Sequence, residues 1–456
     1  MAALSPPFAD GIPPRLLMWQ RVREYAVPPS MIETATARRA VGDWAGACAA
    51  ARIDVDLDLR AVARQHGTDL LHRLRADLRS LAPDLLRWHL PRTAPDGRLR
   101  PGLAISLVCY GSCGAAPPTH LVVRTPPVRA DAGQRVSLTL WNGSMRGAPG
   151  GRPQPHPHPH PDRRFRLDLH RHLWDAGRSG ELAVRAVPRW ADEAELLLRA
   201  AGLGPRGAFI VRFDARRRGA FELVAPDDTH APTCRPLPGV PSRQRLDSLP
   251  VLPEAATRVP PDLELLRAGL IDAGRLHPLV AAALAPRGAP LTQAAPELGD
   301  PHRVECRGEV HRIALRDGVL TAVDHDPDQL RREDLLVALG GPALPCVRAI
   351  DTVHRSPEAL PAVRERLGHG DLDGALAVVE GLLGPAAVLR DGPLRDALES
   401  AASGRVDQGL FRAGLADTEH PAAGAELTRC PRGRARFAPS VLWNKRVSRN
   451  RPCYCR

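Results

Sequence analysis

The chain has 456 residues, 43% of them hydrophobic and 4% aromatic, enough for two to four domains with buried cores. Its formal charge is +12, but residues 427–456 hold nine basic residues and no acid, so the remaining 54 basic and 51 acidic residues leave the body at +3. That balance excludes a large field for steering polyanions, and no apolar run approaches the roughly 18 residues that span a bilayer.

Nine cysteines, with no basic start followed by an apolar run, point to reduced thiols in a cytoplasm. Lys445 is the sole lysine, so 62 of the 63 cationic side chains are arginine. With abundant Ala, Gly and Pro, that skew reflects G+C-rich coding, and arginine alone is weak evidence for bidentate anion recognition.

In chain order, Pro6, Pro7, Pro13 and Pro14 suggest a disordered leader over 1–26. A helical unit follows over 27–95. Ser30 caps a helix from Met31 to about Val41, Gly42 and Asp43 turn the chain into Trp44–Ala51, and Asp56 or Asp58 opens Leu59–Gln65. Thr68 then caps Asp69–Leu81, whose Leu70, Leu71, Leu74, Leu78 and Leu81 share one face. Over 96–145 the runs Leu103–Tyr110, His120–Val123 and Val136–Trp141, bounded by Gly or Pro, predict antiparallel strands.

Residues 146–163 are a Pro/His-rich linker. An α+β segment over 164–256 carries a helix at Ala191–Ala201 and a hairpin of Ala208–Phe213 with Ala220–Val224. Residues 257–426 form a helical and α+β C-terminal domain. In it Leu263–Gly269 and Pro278–Leu284 are helical, and Val304–Leu315 pairs with Val319–Val323 around the turn pair Asp317–Gly318. Asp326–Pro327 starts a helix through Leu339, Ser356 and Pro357 cap another to Leu367, and the last helix reaches about Leu415. Residues 427–456 read as a basic, disordered tail. The fold class is α+β. One phrase recurs: residues 37–51 and 364–380 each predict a helix, a Gly-Asp turn and a Gly-Ala opening of a second helix, as in one tetratricopeptide-type hairpin. The copies are not tandem, so isolated helical hairpins are expected rather than an array.

No Walker loop, GxGxxG after a strand, HExxH or CxxC pair is present. The weak candidates for chemistry are Asp324, His325 and Asp326, at a strand-to-helix junction where Asp caps are ordinary, and Cys346, Asp351 and His354, close in sequence. His156, His158 and His160 could bind a divalent metal, but a Pro-His linker cannot hold ligands rigidly. Ser112 and Cys113 lack the glycine spacing of a nucleophile elbow. Asp54, Asp56 and Asp58 lack the Gly and Glu of a calcium loop. Arg432, Arg434, Arg436, Arg446 and Arg449 are the candidates for nonspecific nucleic-acid contact.

The segments PPSMIETATARRAVGDWAGACAAARIDVDLDL, DLLRWHLPR and LLVALGGPALPCVRAIDTVH resemble a protein family of high-G+C filamentous bacteria over most of residues 27–415. Such proteins resemble accessory components of systems built on MoxR-type AAA+ ATPases and von Willebrand factor A proteins. The resemblance implies a protein partner and no catalytic residue. The expectation is a non-enzymatic cytoplasmic adaptor without a cofactor. The alternatives are an enzyme with a dispersed site and nucleic-acid binding through the tail.

Overall fold

The computed structural model describes residues 12–111, 118–143, 158–284 and 303–415, less positions 205, 215–216, 225–230, 240–241, 307, 317–318, 323, 340, 343, 347–358, 384–391 and 414. Helices combine with three small sheets, antiparallel but for one pairing, so the fold is α+β as expected.

The Pro-rich start contains a helix, α1 (Pro14–Tyr25), where a disordered leader is expected. Pro13 and Pro14 stand at the N-cap and first helical position, where a missing N–H costs no helix hydrogen bond. Leu16, Met18 and Val22 are then buried. Next, α2 (Pro29–Ala40) and α3 (Trp44–Ala50) form the predicted hairpin, turned at Gly42 (φ +78°), with Asp43 accepting from Gly46 N at 2.8 Å. The alternating acids that follow form a short strand, β1 (Ile53–Asp56), which the sequence does not predict. Asp58 caps α4 (Leu59–His66) by accepting from Arg60 and Ala61 N. The helices α5 (Thr68–Ser80) and α6 (Pro83–His89) complete this part.

The predicted strands appear as β2 (Ala104–Tyr110), β3 (Thr119–Arg124) and β4 (Val136–Trp141), antiparallel to one another, and β1 joins β4 in parallel to give the order β1-β4-β3-β2. Residues 158–163 of the expected linker lie beside this sheet. Asp162 N donates to Ala104 O at 2.7 Å, and the His160 ring sits 5.2 Å from that of Trp141. After α7 (Leu182–Arg185), α8 (Trp190–Ala200) packs on the sheet β5 (Gly207–Arg212), β6 (Arg218–Val224) and β7 (Thr233–Pro236). Short helices α9 (Arg243–Ser248), α10 (Glu254–Thr257), α11 (Pro261–Arg267) and α12 (Pro278–Leu284) follow. Leu265 and Val280, from α11 and α12, join the main core around Trp88, Trp174, Leu74 and Ile105.

The predicted long strand at 304–315 is two, β8 (Arg303–Cys306) and β9 (Glu309–Arg316), because the chain reverses at Gly308 (φ +84°). With β10 (Val319–Ala322) and α13 (Pro327–Ala338) they share a very small core of Cys306, Ala322, Leu344 and Cys346. Last come α14 (Ala359–Gly368), α15 (Leu372–Leu383) and α16 (Pro393–Arg412). The α14–α15 corner repeats the first hairpin's chemistry: Asp371 accepts from Gly374 N at 3.3 Å and pairs with Arg366 at 2.8 Å, as Asp43 pairs with Gly46 N and with Arg38 at 3.2 Å. The two hairpins meet through Arg52, which pairs with Asp371 at 2.9 Å and donates to His369 O at 3.1 Å. Glycine is required at 370: φ is +79°, and a Cβ there would stand 2.1 Å from Gly133 O.

Candidate functional site

The helix α6 has seven residues, and Pro83 through Trp88 are all buried, so its polar side chains have no wet face and must find partners inside. Trp88 Nε1 donates to Asp262 Oδ1 at 3.1 Å. Arg23 of α1 clamps the same carboxylate at 2.7 and 2.8 Å and lies 4.3 Å over the Trp88 ring, with both partners of the ion pair about 1% exposed or less. Asp84, fully buried, meets His277 Nε2 at 3.0 Å. Arg87, also fully buried, has no carboxylate partner among the described residues and donates to Ala26 O and Gln134 O at 3.2 and 2.7 Å. Burial and the neighbouring arginines hold its guanidinium well below the ordinary value.

From α6 the chain leads to Pro91 and Arg92 in the wall of a cavity of about 690 Å³ between the main core and the α8 unit, a volume suited to a small-molecule ligand. Nine arginines line it against two acids, Asp214 and Glu254, and Met18, Trp19, Ile105 and Phe165 supply apolar surface. Most of these arginines are neutralised by their own carboxylates, as in Arg164 with Asp162, Arg166 with Asp168 and Arg185 with Glu193. Among the described residues, Arg92 and Arg100 have no carboxylate within 4.0 Å. Arg92 is buried, its Nη2 donates to Arg87 O at 2.9 Å, and its Nε and Nη1 have no hydrogen-bond partner. Burial with Arg23 nearby lowers its guanidinium to about 9.

Three histidines line the same space. His89 Nδ1 lies 3.1 Å from both Leu85 O and Leu173 O, which places its proton there and leaves the buried, unpartnered Nε2 as an acceptor. Burial pushes this ring down to about 4, so it is neutral at pH 7. Burial, then His170 and Arg185, pushes His172 down to about 2. His170 has both nitrogens engaged, by Arg166 O at 3.1 Å and Glu193 Oε2 at 3.0 Å. Burial would raise the Glu193 carboxyl, but the hydrogen bonds from His170 and Arg185 outweigh it and the group is lowered. The cavity therefore offers guanidinium donors, the neutral imidazoles of His89 and His172 and apolar walls.

Comparison with protein-family models, curated proteins and solved structures finds no match to this chain.

Of the residues singled out from sequence, His325 and Cys346 come together with Cys306, which the sequence reading does not single out. Their ligand atoms all lie within 4.8 Å of one another, and all three residues are buried. Asp326 accepts from Asp328 N at 3.4 Å as the cap of α13, and Asp324 is exposed beside it. His158 and His160 are exposed and belong to no metal-binding group among the described residues. His156, Ser112, Cys113, Asp351, His354 and the tail arginines Arg432, Arg434, Arg436, Arg446 and Arg449 lie outside the described residues. The cavity residues escape a motif search because they come from distant segments. The one local signal is the phrase at 84–92, where aspartate, two arginines, tryptophan and histidine alternate with leucine.

Proposed function

We propose that the protein binds a small organic anion, with an apolar or planar body, in the arginine-lined cavity. The observation that carries this reading is Arg92: a buried cation in the cavity wall with two unpartnered nitrogens and, among the described residues, no carboxylate within 4.0 Å. A buried unpaired charge is costly to a fold, so its retention fits a site whose counter-charge arrives with a ligand. His89 Nε2 adds an acceptor for a ligand hydroxyl, while Trp19 and Phe165 supply ring surface. Arg92→Met should raise the melting temperature of the free protein, because it removes the unpaired charge and keeps the bulk. Citrate and AMP serve as probes in thermal-shift titrations. At least one should stabilise the wild type saturably and fail to stabilise Arg92→Met/Arg100→Met. No stabilisation by any probe, or equal stabilisation of the double variant, refutes the reading.

The adaptor reading is favoured by a different observation. The C-terminal end of α13 leaves Leu335 and Leu339 at 64% and 85% exposure, beside exposed Leu336 and Val337. Apolar side chains gathered in this way suit a protein contact, and a component of an AAA+ ATPase system is the partner proposed on the resemblance. Leu335→Glu/Leu339→Glu should abolish capture of a stoichiometric partner from native cytosol without lowering stability. Unchanged capture by the variant counts against this surface.

A further inference from the structure

We propose that Cys306, His325 and Cys346 form a zinc-binding site that staples the segment of residues 303–346. The three donors arrive from separate elements: the end of β8, the turn after β10 and the segment after α13. All their ligand atoms lie within 4.8 Å of one another. Tetrahedral zinc with sulfur at about 2.3 Å and nitrogen at about 2.0 Å needs donors roughly 3.5–3.8 Å apart, so a small contraction completes the site. The set of two thiols and one imidazole suits zinc rather than magnesium or calcium.

Two further observations point to a ligand. His325 is 8% exposed, and its Nε2 is buried without a hydrogen-bond partner. The His311 ring stacks on it at 4.1 Å with planes 9° apart, fixing its orientation. Among the described residues the buried core of this segment is Cys306, Ala322, Leu344 and Cys346, so two of its four members are the proposed ligands. Metal binding at such a core contributes directly to folding energy. Binding converts both thiols to thiolates and releases two protons, and water takes the fourth coordination position.

The test is cobalt titration of the reduced, metal-free full chain, followed by zinc competition. One equivalent of Co²⁺ should give thiolate-to-cobalt charge transfer and the visible bands of a tetrahedral site, and zinc should abolish both. Cys306→Ser/Cys346→Ser should remove the charge-transfer band, whereas His156→Ser/His158→Ser/His160→Ser should leave it intact. His325→Ala keeps both thiols, should retain charge transfer, and should weaken cobalt binding about tenfold or more. Absence of the band in the wild type overturns the proposal, as does a full band in the double cysteine variant. Recovery of Cys306 and Cys346 as a disulfide from protein prepared under reducing conditions also overturns it.

Discussion

Asp262→Ala is expected to destabilise the protein by about 3–5 kcal/mol, the range for breaking a buried ion pair by removing one partner. The carboxylate is fully buried and holds two guanidinium nitrogens of Arg23 and the indole N–H of Trp88, so its loss strands three donors that water cannot reach. It also unties α1, α6 and α11, which meet only distantly in sequence. The pair itself need not be a net gain, because taking both charges out of water offsets much of their attraction. Arg23→Met/Asp262→Leu should therefore recover most of the loss. Urea unfolding at pH 7, followed by tryptophan fluorescence, measures both variants. A loss below about 1 kcal/mol for Asp262→Ala would show that solvent reaches the site.

Acid should unfold the protein well before its carboxylates titrate. Burial lowers His89 to about 4, His369 to about 3 and His172 to about 2, against an ordinary value of 6.5. For His369 the nearby Arg92, Arg87 and Arg98 add to burial. Below pH 6.5 the unfolded chain takes up protons at these positions and the folded chain does not. Stability is therefore complete above that pH and falls as pH drops toward the folded values. Each histidine contributes about 1.4 kcal/mol per pH unit within this window, so three together can exhaust a typical stability of about 5–15 kcal/mol. The urea midpoint should fall steeply from pH 6.5 to pH 5, and His172→Phe should flatten the slope by roughly a third. A midpoint constant over that range would show that these rings charge freely in the fold.

Much of the local structure was legible because it depends on neighbours in the chain. Asp43 and Gly46, or Asp371 and Gly374, make a capped corner with whatever surrounds them, and the leucines of α5 mark its inner face without knowledge of what covers it. The strands β2 to β4 follow from β-branched runs bounded by Gly and Pro. Three readings fail for reasons equally local. Pro13 and Pro14 look like breakers but begin α1. Asp56 looks like a helix opener but lies on β1 with Asp54, which Arg135 and Arg412 neutralise. A single apolar run at 304–315 hides the reversal at Gly308.

The candidate sites were barely legible. His325 and Cys346 stand out by residue type, but nothing in the chain ties them to Cys306, because β8, β10 and α13 set that distance and not spacing in sequence. The average is misleading for charge as well: a body near neutrality gives no hint that nine of its arginines line one cavity. By itself, then, the sequence determined caps, corners, helix faces and the α+β class, all of which rest on contacts a few residues long. Only the tertiary structure decided which buried cations go unpaired and which thiols meet an imidazole. Those properties depend on dielectric environment and on distances between segments far apart in the chain, as Arg23 and Asp262, 239 residues apart, are.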